Sequence, residues 1–167
     1  MLFETPCIIR GVNTQLAYLA GIVDGEGSYN LKLQKNRMSL DLMLHVFNSD
    51  RSLMDWLTEN FGGTFYEIHR RSRLERPQWQ PVYNWNLRGE AARDLSAKLA
   101  PFLIIKKAQA ELAVEFWDNR QATPRTGEKV GGGRGRNRPS DEVIAMRLSY
   151  KERMHALNRK NRGPVLP

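Results

Sequence analysis

Residues Leu19 to Gly27 read LAGIVDGEG, and this stretch holds the most informative pattern of the chain. Small and apolar residues fill its first part, and its second part holds two acidic residues, Asp24 and Glu26, each followed by glycine. Small residues allow two backbones to approach closely, and a carboxylate is a common ligand of hard cations. We therefore expect one short segment to press two backbones together and to deliver a carboxylate to their junction.

The periodicity around this segment predicts a helix over about residues 14–25, with Asn13 or the next residue as its N-cap. Side chains two residues apart on a helix point about 200° apart, so Asp24 and Glu26 cannot share one metal ion unless the helix ends between them. We expect Gly25 to end it there. Glu26 then projects into the start of a strand, and Asp24 caps a helix or makes interhelix hydrogen bonds beside the last turn.

The charge balance limits the partners of this chain. Its 167 residues hold 26 Lys and Arg against 18 Asp and Glu, a formal net charge of +8. We expect a polyanionic partner, and nucleic acid before a membrane surface. No apolar stretch approaches the roughly 20 residues of a spanning helix, and no secretion signal is recognisable. We expect one soluble, intracellular domain over residues 1–167, in which the lone Cys7 forms no internal disulfide.

Alternation and helical periodicity predict the remaining elements. In chain order these are strands Ser28–Lys35 and Leu40–Phe47, helix Ser52–Asn60, strands Thr64–Arg71 and Val82–Leu87, and helices Glu90–Leu99, Lys107–Asn119 and about 141–159. The two strand pairs predict two hairpins and one four-stranded antiparallel sheet with an apolar face toward the helices. The predicted fold class is α+β.

A basic, glycine-rich loop separates the last two predicted helices. Residues 124–140 hold five basic residues and five glycines, a composition that cannot bury a core. Arg134, Arg136 and Arg138 are candidates for contacts with DNA phosphates. A solvated linker is the alternative interpretation.

Small residues also form a stripe along the first helix. Ala17, Ala20 and Gly21 stand at positions i, i+3 and i+4, and Gly25 continues the stripe. This spacing favours the close approach of another helix. That helix belongs either to the same chain or to a second chain, and the spacing alone leaves both open.

The segment LAGIVDGEG resembles the signature of the LAGLIDADG homing endonucleases, and the order of hairpin, helix, hairpin and helices is similar to that family over nearly the whole chain. The resemblance implies an αββαββα core whose four-stranded antiparallel sheet binds DNA. The motif occurs once, which is similar to the single-motif class that acts as a homodimer. The implied dimer interface is Ala17, Ala20, Gly21 and Asp24.

The resemblance further implies an intron- or intein-encoded endonuclease that hydrolyses both strands of a long, near-palindromic double-stranded DNA site. Glu26 matches the second acid of the motif, which binds a divalent metal ion, expected to be Mg²⁺, and Gly25 matches the position whose carbonyl assists. Glu replaces the Asp of the family name, which keeps the ligand type. In PFLIIKKAQ, residues 101–109, Lys106 matches the active-site lysine, with Lys107 as the alternative.

Two further catalytic candidates follow the second strand. Asn48 lies where family members often place an amide that organises solvent, and capping of the helix near Asp50 is its alternative role. Arg51 lies near the position of an arginine found in some relatives, although its spacing does not align cleanly.

The polar face of the sheet is the expected DNA-reading surface, because a curved antiparallel sheet fits the major groove. The candidates on it are Asn30, Lys32, Gln34, Asp41, His45, Glu67, His69, Arg71, Asn84 and Asn86. Tyr83, Trp85 and Leu87 are expected to face the helices; the alternative is a one-residue slip of this strand, which would put Tyr83 and Trp85 on DNA instead.

Two other functions share these features. An RNA maturase that assists splicing of its host intron would use the same fold and charge, and an inert DNA-binding module would keep the sheet without the chemistry. Glu26 and Lys106 favour the enzyme. Its expected location is the cytoplasm or nucleoid of a prokaryote, or an organelle if an organellar intron encodes it.

Overall fold

The computed structural model describes residues 13–34, 39–68, 80–122 and 139–160. These residues form α1 (Thr14–Glu26), β1 (Gly27–Gln34), β2 (Ser39–Asn48), α2 (Arg51–Phe61), β3 (Thr64–Glu67), β4 (Tyr83–Arg88), α3 (Gly89–Leu99), α4 (Lys107–Ala122) and α5 (Asp141–Lys160). The predicted α+β class and element order are confirmed. None of the described helices combines the length and apolar character that a bilayer span requires.

The four strands form one antiparallel sheet in the order β1-β2-β4-β3. Gly27, at the start of β1, lies opposite Val46 near the end of β2. Asn48, at the end of β2, lies opposite Tyr83 at the start of β4. The start of β1 and the end of β2 therefore lie at one end of the sheet, and this is the end at which α1 finishes.

The apolar face of the sheet packs against the helices. Its fully buried side chains include Tyr29, Leu40, Leu42, Leu44, Val46 and Trp85. The predicted inward orientation of Trp85 and Leu87 is confirmed, and Tyr83 packs against the same core. The indole N–H of Trp85 donates to the carbonyl of Gly62 at 2.8 Å, which ties the turn after α2 to β4.

Side-chain caps begin the first two helices. Asn13 accepts the backbone N–H of Leu16 at 3.2 Å at the start of α1. Asp50 accepts the N–H of Ser52 at 2.8 Å at the start of α2. Both caps satisfy donors that a helix leaves without partners in its first turn.

The end of α1 differs from the prediction. The helix continues through Gly25 and ends at Glu26, with Gly27 as its C-cap. A Cβ at Gly25 would meet no atom within 4 Å, whereas a Cβ at Gly27 would lie 2.6 Å from the carbonyl oxygen of Val23. Gly27 is therefore the glycine that the junction requires. The prediction that the helix ends between the two acids is wrong, and both acids belong to its last turn.

Candidate functional site

The side chain of Asp24 joins the motif helix to the segment that precedes α4. Its carboxylate accepts the backbone N–H groups of Ile104 at 2.8 Å, Ile105 at 3.2 Å and Lys106 at 2.9 Å. The carbonyl of Lys106 accepts the N–H of Ala110, so these donors belong to the entry of α4. The predicted capping role of Asp24 is confirmed, and its carboxylate is engaged by its own chain.

Lys106 makes the return contact. Its ammonium group donates to the backbone carbonyl oxygen of Asp24. Carbonyls in the last turn of a helix lack intrahelical partners and carry the negative end of the helix dipole. The last turn of α1 contains no basic residue, so Lys106 supplies that positive charge from another segment. This contact favours Lys106 over Lys107 as the lysine that acts together with the motif helix α1.

The environment of Lys106 changes its acidity. Burial lowers the pKa of its ammonium group, and the nearby carboxylates of Asp24 and Glu26 oppose that shift. Lys106 therefore lies within electrostatic reach of both acids of the motif. Glu26 and Lys106 are 80 positions apart in the sequence, and the fold brings them to the same end of α1.

Glu26 is exposed at the end of α1, where its carboxylate and the carbonyl of Gly25 share the negative pole of the helix. Such a pole attracts a cation. Among the described residues, no group of three or more His, Cys, Asp or Glu side chains could hold a metal ion. A hard cation takes about six oxygen ligands. One carboxylate and one carbonyl fit the chemistry of such an ion only if further oxygens come from another source.

Asn48 and Arg51 lie at the same end of the sheet as the finish of α1. The side-chain oxygen of Asn48 accepts the N–H of Asp50 at 2.9 Å, which shapes the turn into α2, while Asp50 itself is the N-cap. Arg51 is exposed and its Nε lies 3.8 Å from Oδ2 of Asp55. Within the described ranges, no hydrogen bond or ion pair joins Arg51 to Glu26.

The small residues of α1 divide between the inside and the outside of the chain. Ala20 is 1% exposed and belongs to the core. Its assignment to a dimer interface is therefore wrong, because an apolar stripe on a helix is wide enough to include positions that pack within the chain. Ala17, Gly21 and Gly25 are exposed. A Cβ at either glycine would meet no atom within 4 Å.

The sheet surface that faces away from the helices is called the open face. The pairing register places on it Ser28, Asn30, Lys32, Gln34, Ser39, Asp41, Met43, His45, Phe47, Thr64, Tyr66, Asn84, Asn86 and Arg88. The predicted positions of the five candidates on β1 and β2 are confirmed. Gln34 donates to Asp41 at 2.7 Å, so this pair presents a joined polar surface near one end of the open face.

On the edge strand β3, the residues that lie on the open face are Thr64 and Tyr66, not the predicted Glu67. Thr64 pairs with Asn86 and Tyr66 with Asn84, whereas Glu67 pairs with Tyr83 on the helix-packed face. The assignment of Glu67 to the DNA surface is therefore wrong. Its polarity suggested an outward position, but the register with β4 decides the face. The candidates His69, Arg71, Arg134, Arg136 and Arg138 lie outside the described residues.

The two asparagines of β4 lie on the open face as predicted, yet Asn84 is 4% and Asn86 5% exposed. Their predicted role as direct DNA contacts is wrong, because their amide groups are enclosed by bonded neighbours. Tyr66, which is 52% exposed, and Arg88, which is also exposed, occupy this part of the surface instead. The alternation of Asn84 and Asn86 continues to Arg88, so the pattern contained the signal that would have identified it.

Comparison with known proteins finds similarity in structure. No family model matches the sequence, and no curated protein matches it. The homing endonuclease I-CvuI in complex with the I-CreI target has a TM-score of 0.61 at 18% identity, over 92% of this chain and 86% of that chain. The archaeal intron-encoded homing endonuclease I-Vdi141I, complexed with DNA, has a TM-score of 0.51 at 15% identity, over 86% and 98%.

The LAGLIDADG homing endonuclease I-GzeII, in complex with its DNA target, has a TM-score of 0.56 at 18% identity. The match covers 84% of this chain and 43% of that one, so this chain corresponds to about half of I-GzeII. This chain therefore has the fold of the LAGLIDADG homing endonucleases.

Proposed function

We propose that this protein is a metal-dependent, site-specific DNA endonuclease that acts as a homodimer. The observation that carries the proposal is the contact between Lys106 and the last turn of α1, which brings an ammonium group within electrostatic reach of the exposed carboxylate of Glu26. An ammonium and a carboxylate at one helix end are the groups that hydrolysis of a phosphodiester requires for charge stabilisation and cation binding.

Solved structures of similar proteins support DNA as the ligand. I-CvuI has been solved with the I-CreI target in the presence of 2 mM Mg and with its own target in the presence of 2 mM Ca. The formal charge of +8 on this chain suits the same polyanionic ligand. The open face offers polar and basic side chains to it, and the arginines of residues 124–140 remain candidates for phosphate contacts.

Glu26 and the carbonyl of Gly25 would hold the Mg²⁺ ion. When bound, that ion would neutralise charge that develops on the phosphate and its leaving oxygen. Asp24 fixes the backbone at Lys106 through three N–H groups, which holds the ammonium at the motif. Lys106 would donate to a phosphate oxygen or orient water there. Asn48 would orient water from the same end of the sheet, and Arg51 would contact a phosphate.

A second copy of the chain would complete the site. The described residues supply one exposed motif carboxylate, and cleavage of two strands requires one active group for each. The exposed stripe of Ala17, Gly21 and Gly25 would allow two copies of α1 to pack closely, with Asp24 beside that contact. Closed twofold pairing would place two Glu26 side chains together, and it would match a near-palindromic DNA site.

The test incubates purified protein and Mg²⁺ with duplex DNA that carries the uninterrupted host locus. We expect a double-strand break with wild type, and no break with Glu26→Gln, which removes the charge of the carboxylate but keeps its shape. Glu59→Gln, at an exposed position of α2, is the matched control and should cut like wild type. Intact DNA with wild type, or cutting by Glu26→Gln, would reject the proposal.

A further inference from the structure

We propose that the two buried asparagines of β4, Asn84 and Asn86, set the base preference of the open face by fixing the hydrogen-bonding groups that His45, Tyr66 and Arg88 present. The inference rests on the proposed function, because it concerns how the same sheet reads DNA. The asparagines are positioning residues, and the three exposed or half-buried side chains are the readers.

Asn84 bridges the reader on β2 and the reader on β3. Its Nδ2 donates to the hydroxyl oxygen of Tyr66 at 2.9 Å, and its Oδ1 lies 3.2 Å from Nδ1 of His45. Because the amide nitrogen is used toward Tyr66, the oxygen faces His45 and accepts only from a protonated Nδ1. The ring of Phe47 stacks on the imidazole with centroids 5.9 Å apart, which further restricts the orientation of His45.

This bridge determines what His45 offers to a ligand. Neutral imidazole carries one proton, so an Nδ1–H group leaves Nε2 as an acceptor. Burial lowers the pKa of His45 and the charges of Arg88 and Lys32 add to that effect, while the bond to Asn84 opposes it. The ring therefore stays neutral at physiological pH. In the major groove an acceptor pairs with the exocyclic amino group of cytosine or adenine.

Tyr66 presents a hydrogen-bond donor, whereas His45 presents an acceptor. Its oxygen accepts from Asn84, so its O–H is directed away from that bond and is available as a donor. Such a donor suits O6 or N7 of guanine, O4 of thymine or a phosphate oxygen. A single amide joins the two readers, so reversing that amide would exchange the donor and acceptor characters of both. The base preferences at His45 and Tyr66 are therefore coupled.

Asn86 fixes the orientation of Arg88 as Asn84 fixes that of His45, through a buried amide whose nitrogen and oxygen are both bonded. Its Nδ2 donates to the carbonyl of Thr64 at 3.0 Å, and its Oδ1 accepts from Nε of Arg88 at 3.0 Å. With Nε held, the terminal nitrogens form the outer edge of the guanidinium, which matches O6 and N7 of guanine. Arg88 and Tyr66 line one open groove of about 550 Å³, so they would face the same stretch of DNA.

The burial of the asparagines makes this inference testable. Side chains that are 4% and 5% exposed cannot reach a base edge, so any effect on base preference must pass through the readers. A purely structural role for Asn84 would weaken binding to every sequence by a similar factor. A positioning role would relax only the base pairs that His45 and Tyr66 contact.

The experiment selects binders from a randomised duplex DNA library in Ca²⁺, for wild type and for single variants. We expect Asn84→Leu and Tyr66→Phe to relax base pairs that His45→Ala also relaxes or that adjoin them, by about 5- to 150-fold in relative affinity. Asn86→Leu should relax the base pairs that Arg88→Ala relaxes. Lys32→Ala, on the edge strand β1, is the control and should relax a different position.

A second measurement follows the imidazole of His45 in the free protein by ¹⁵N NMR. We expect the Nδ1–H tautomer in wild type and in Asn86→Leu, and its loss in Asn84→Leu. Tyr66→Phe removes only the hydroxyl of a residue outside the core, so it tests the bridge even if Asn84→Leu does not fold.

The outcomes separate this inference from the proposed function. If wild type enriches no sequence from the library, site-specific recognition fails and the inference fails with it. If wild type enriches a sequence but Asn84→Leu and Tyr66→Phe leave its base preferences unchanged, only the inference is overturned. A uniform loss of affinity across sequences, with the His45 tautomer unchanged, also overturns it.

Discussion

The carboxylate of Asp24 accepts the backbone N–H of Lys106 at 2.9 Å, and the ammonium of Lys106 donates to the backbone carbonyl of Asp24. Two segments 82 residues apart are thus joined in both directions. The motif helix and the entry of α4 cannot shift relative to one another without breaking this pair of contacts. In the proposed enzyme, the same pair sets the separation between Lys106 and Glu26.

Asp24→Ala should destabilise the fold. The change leaves three backbone N–H groups at residues 104–106 without their acceptor, and loss of a capping carboxylate costs about 1–2 kcal/mol. Urea unfolding followed by circular dichroism measures the effect. Asp55→Ala, at an exposed position of α2 with an ion pair to Arg51 at 3.8 Å, is the control and should stay within about 0.5 kcal/mol of wild type. Equal stability of the two variants would contradict the capping role.

Gly27→Ala should disrupt the junction of α1 and β1. A Cβ at this residue would lie 2.6 Å from the carbonyl oxygen and 2.8 Å from the Cα of Val23, and neither backbone atom can move without displacing the helix end. Overpacking of this kind costs about 1–3 kcal/mol. Thermal and urea unfolding measure the loss, with Ser28→Ala as the neighbouring control. A Gly27→Ala protein as stable as the control would show that the helix end relaxes freely.

Gly21→Leu should abolish dimerisation in the proposed enzyme while the single chain still folds. Apart from its chain neighbours and the nearby backbone of α1 itself, no atom of the described chain lies within 4 Å of a Cβ at this position. Leucine therefore fits the monomer, but its bulk would separate two closely packed copies of α1. Sedimentation equilibrium measures the mass of wild type and variant. Ala97→Leu, at an exposed position of α3, should remain dimeric. Monomeric wild type, or a dimeric Gly21→Leu protein, would contradict this arrangement.

The outcome of sequence-based prediction depended on the length of each pattern. Alternation over eight residues of β1 and ten of β2 identified the correct faces, because a one-residue error would have buried several polar side chains. The four residues of β3 carry too little pattern, and only pairing with β4 shows that Tyr66 is outward and Glu67 inward. Long patterns thus predicted the fold, while short ones left the orientation of edge residues undetermined.

The errors at the candidate site have a related cause. Ala20 and Gly21 are adjacent in the stripe of small residues, yet one is buried in the chain and the other exposed. The burial of Asn84 depends on Tyr66 and His45, which come from two other strands. The contact of Lys106 with α1 was predictable only through the family resemblance, because no local pattern relates residues 82 positions apart. Contacts between distant segments decide each of these cases.

His45→Gln should remove part of the acid sensitivity of the fold. Burial holds the pKa of His45 below its ordinary value of 6.5, so between the folded pKa and 6.5 the unfolded chain binds more protons than the folded chain. The free energy of unfolding therefore falls as the pH falls through this window, and His45 adds no pH dependence well above 6.5. Glutamine does not titrate, so its variant lacks this component.

Urea unfolding at pH 7.5 and pH 5.0 tests this sign. Wild type should lose more stability between the two pH values than His45→Gln loses. An equal loss, or a larger loss in the variant, would show that His45 does not titrate below its ordinary range. Protonation would also convert Nε2 from an acceptor into a donor, so the base pair that faces His45 should change its preference over the same pH window. Library selection at the two pH values measures that change independently of stability.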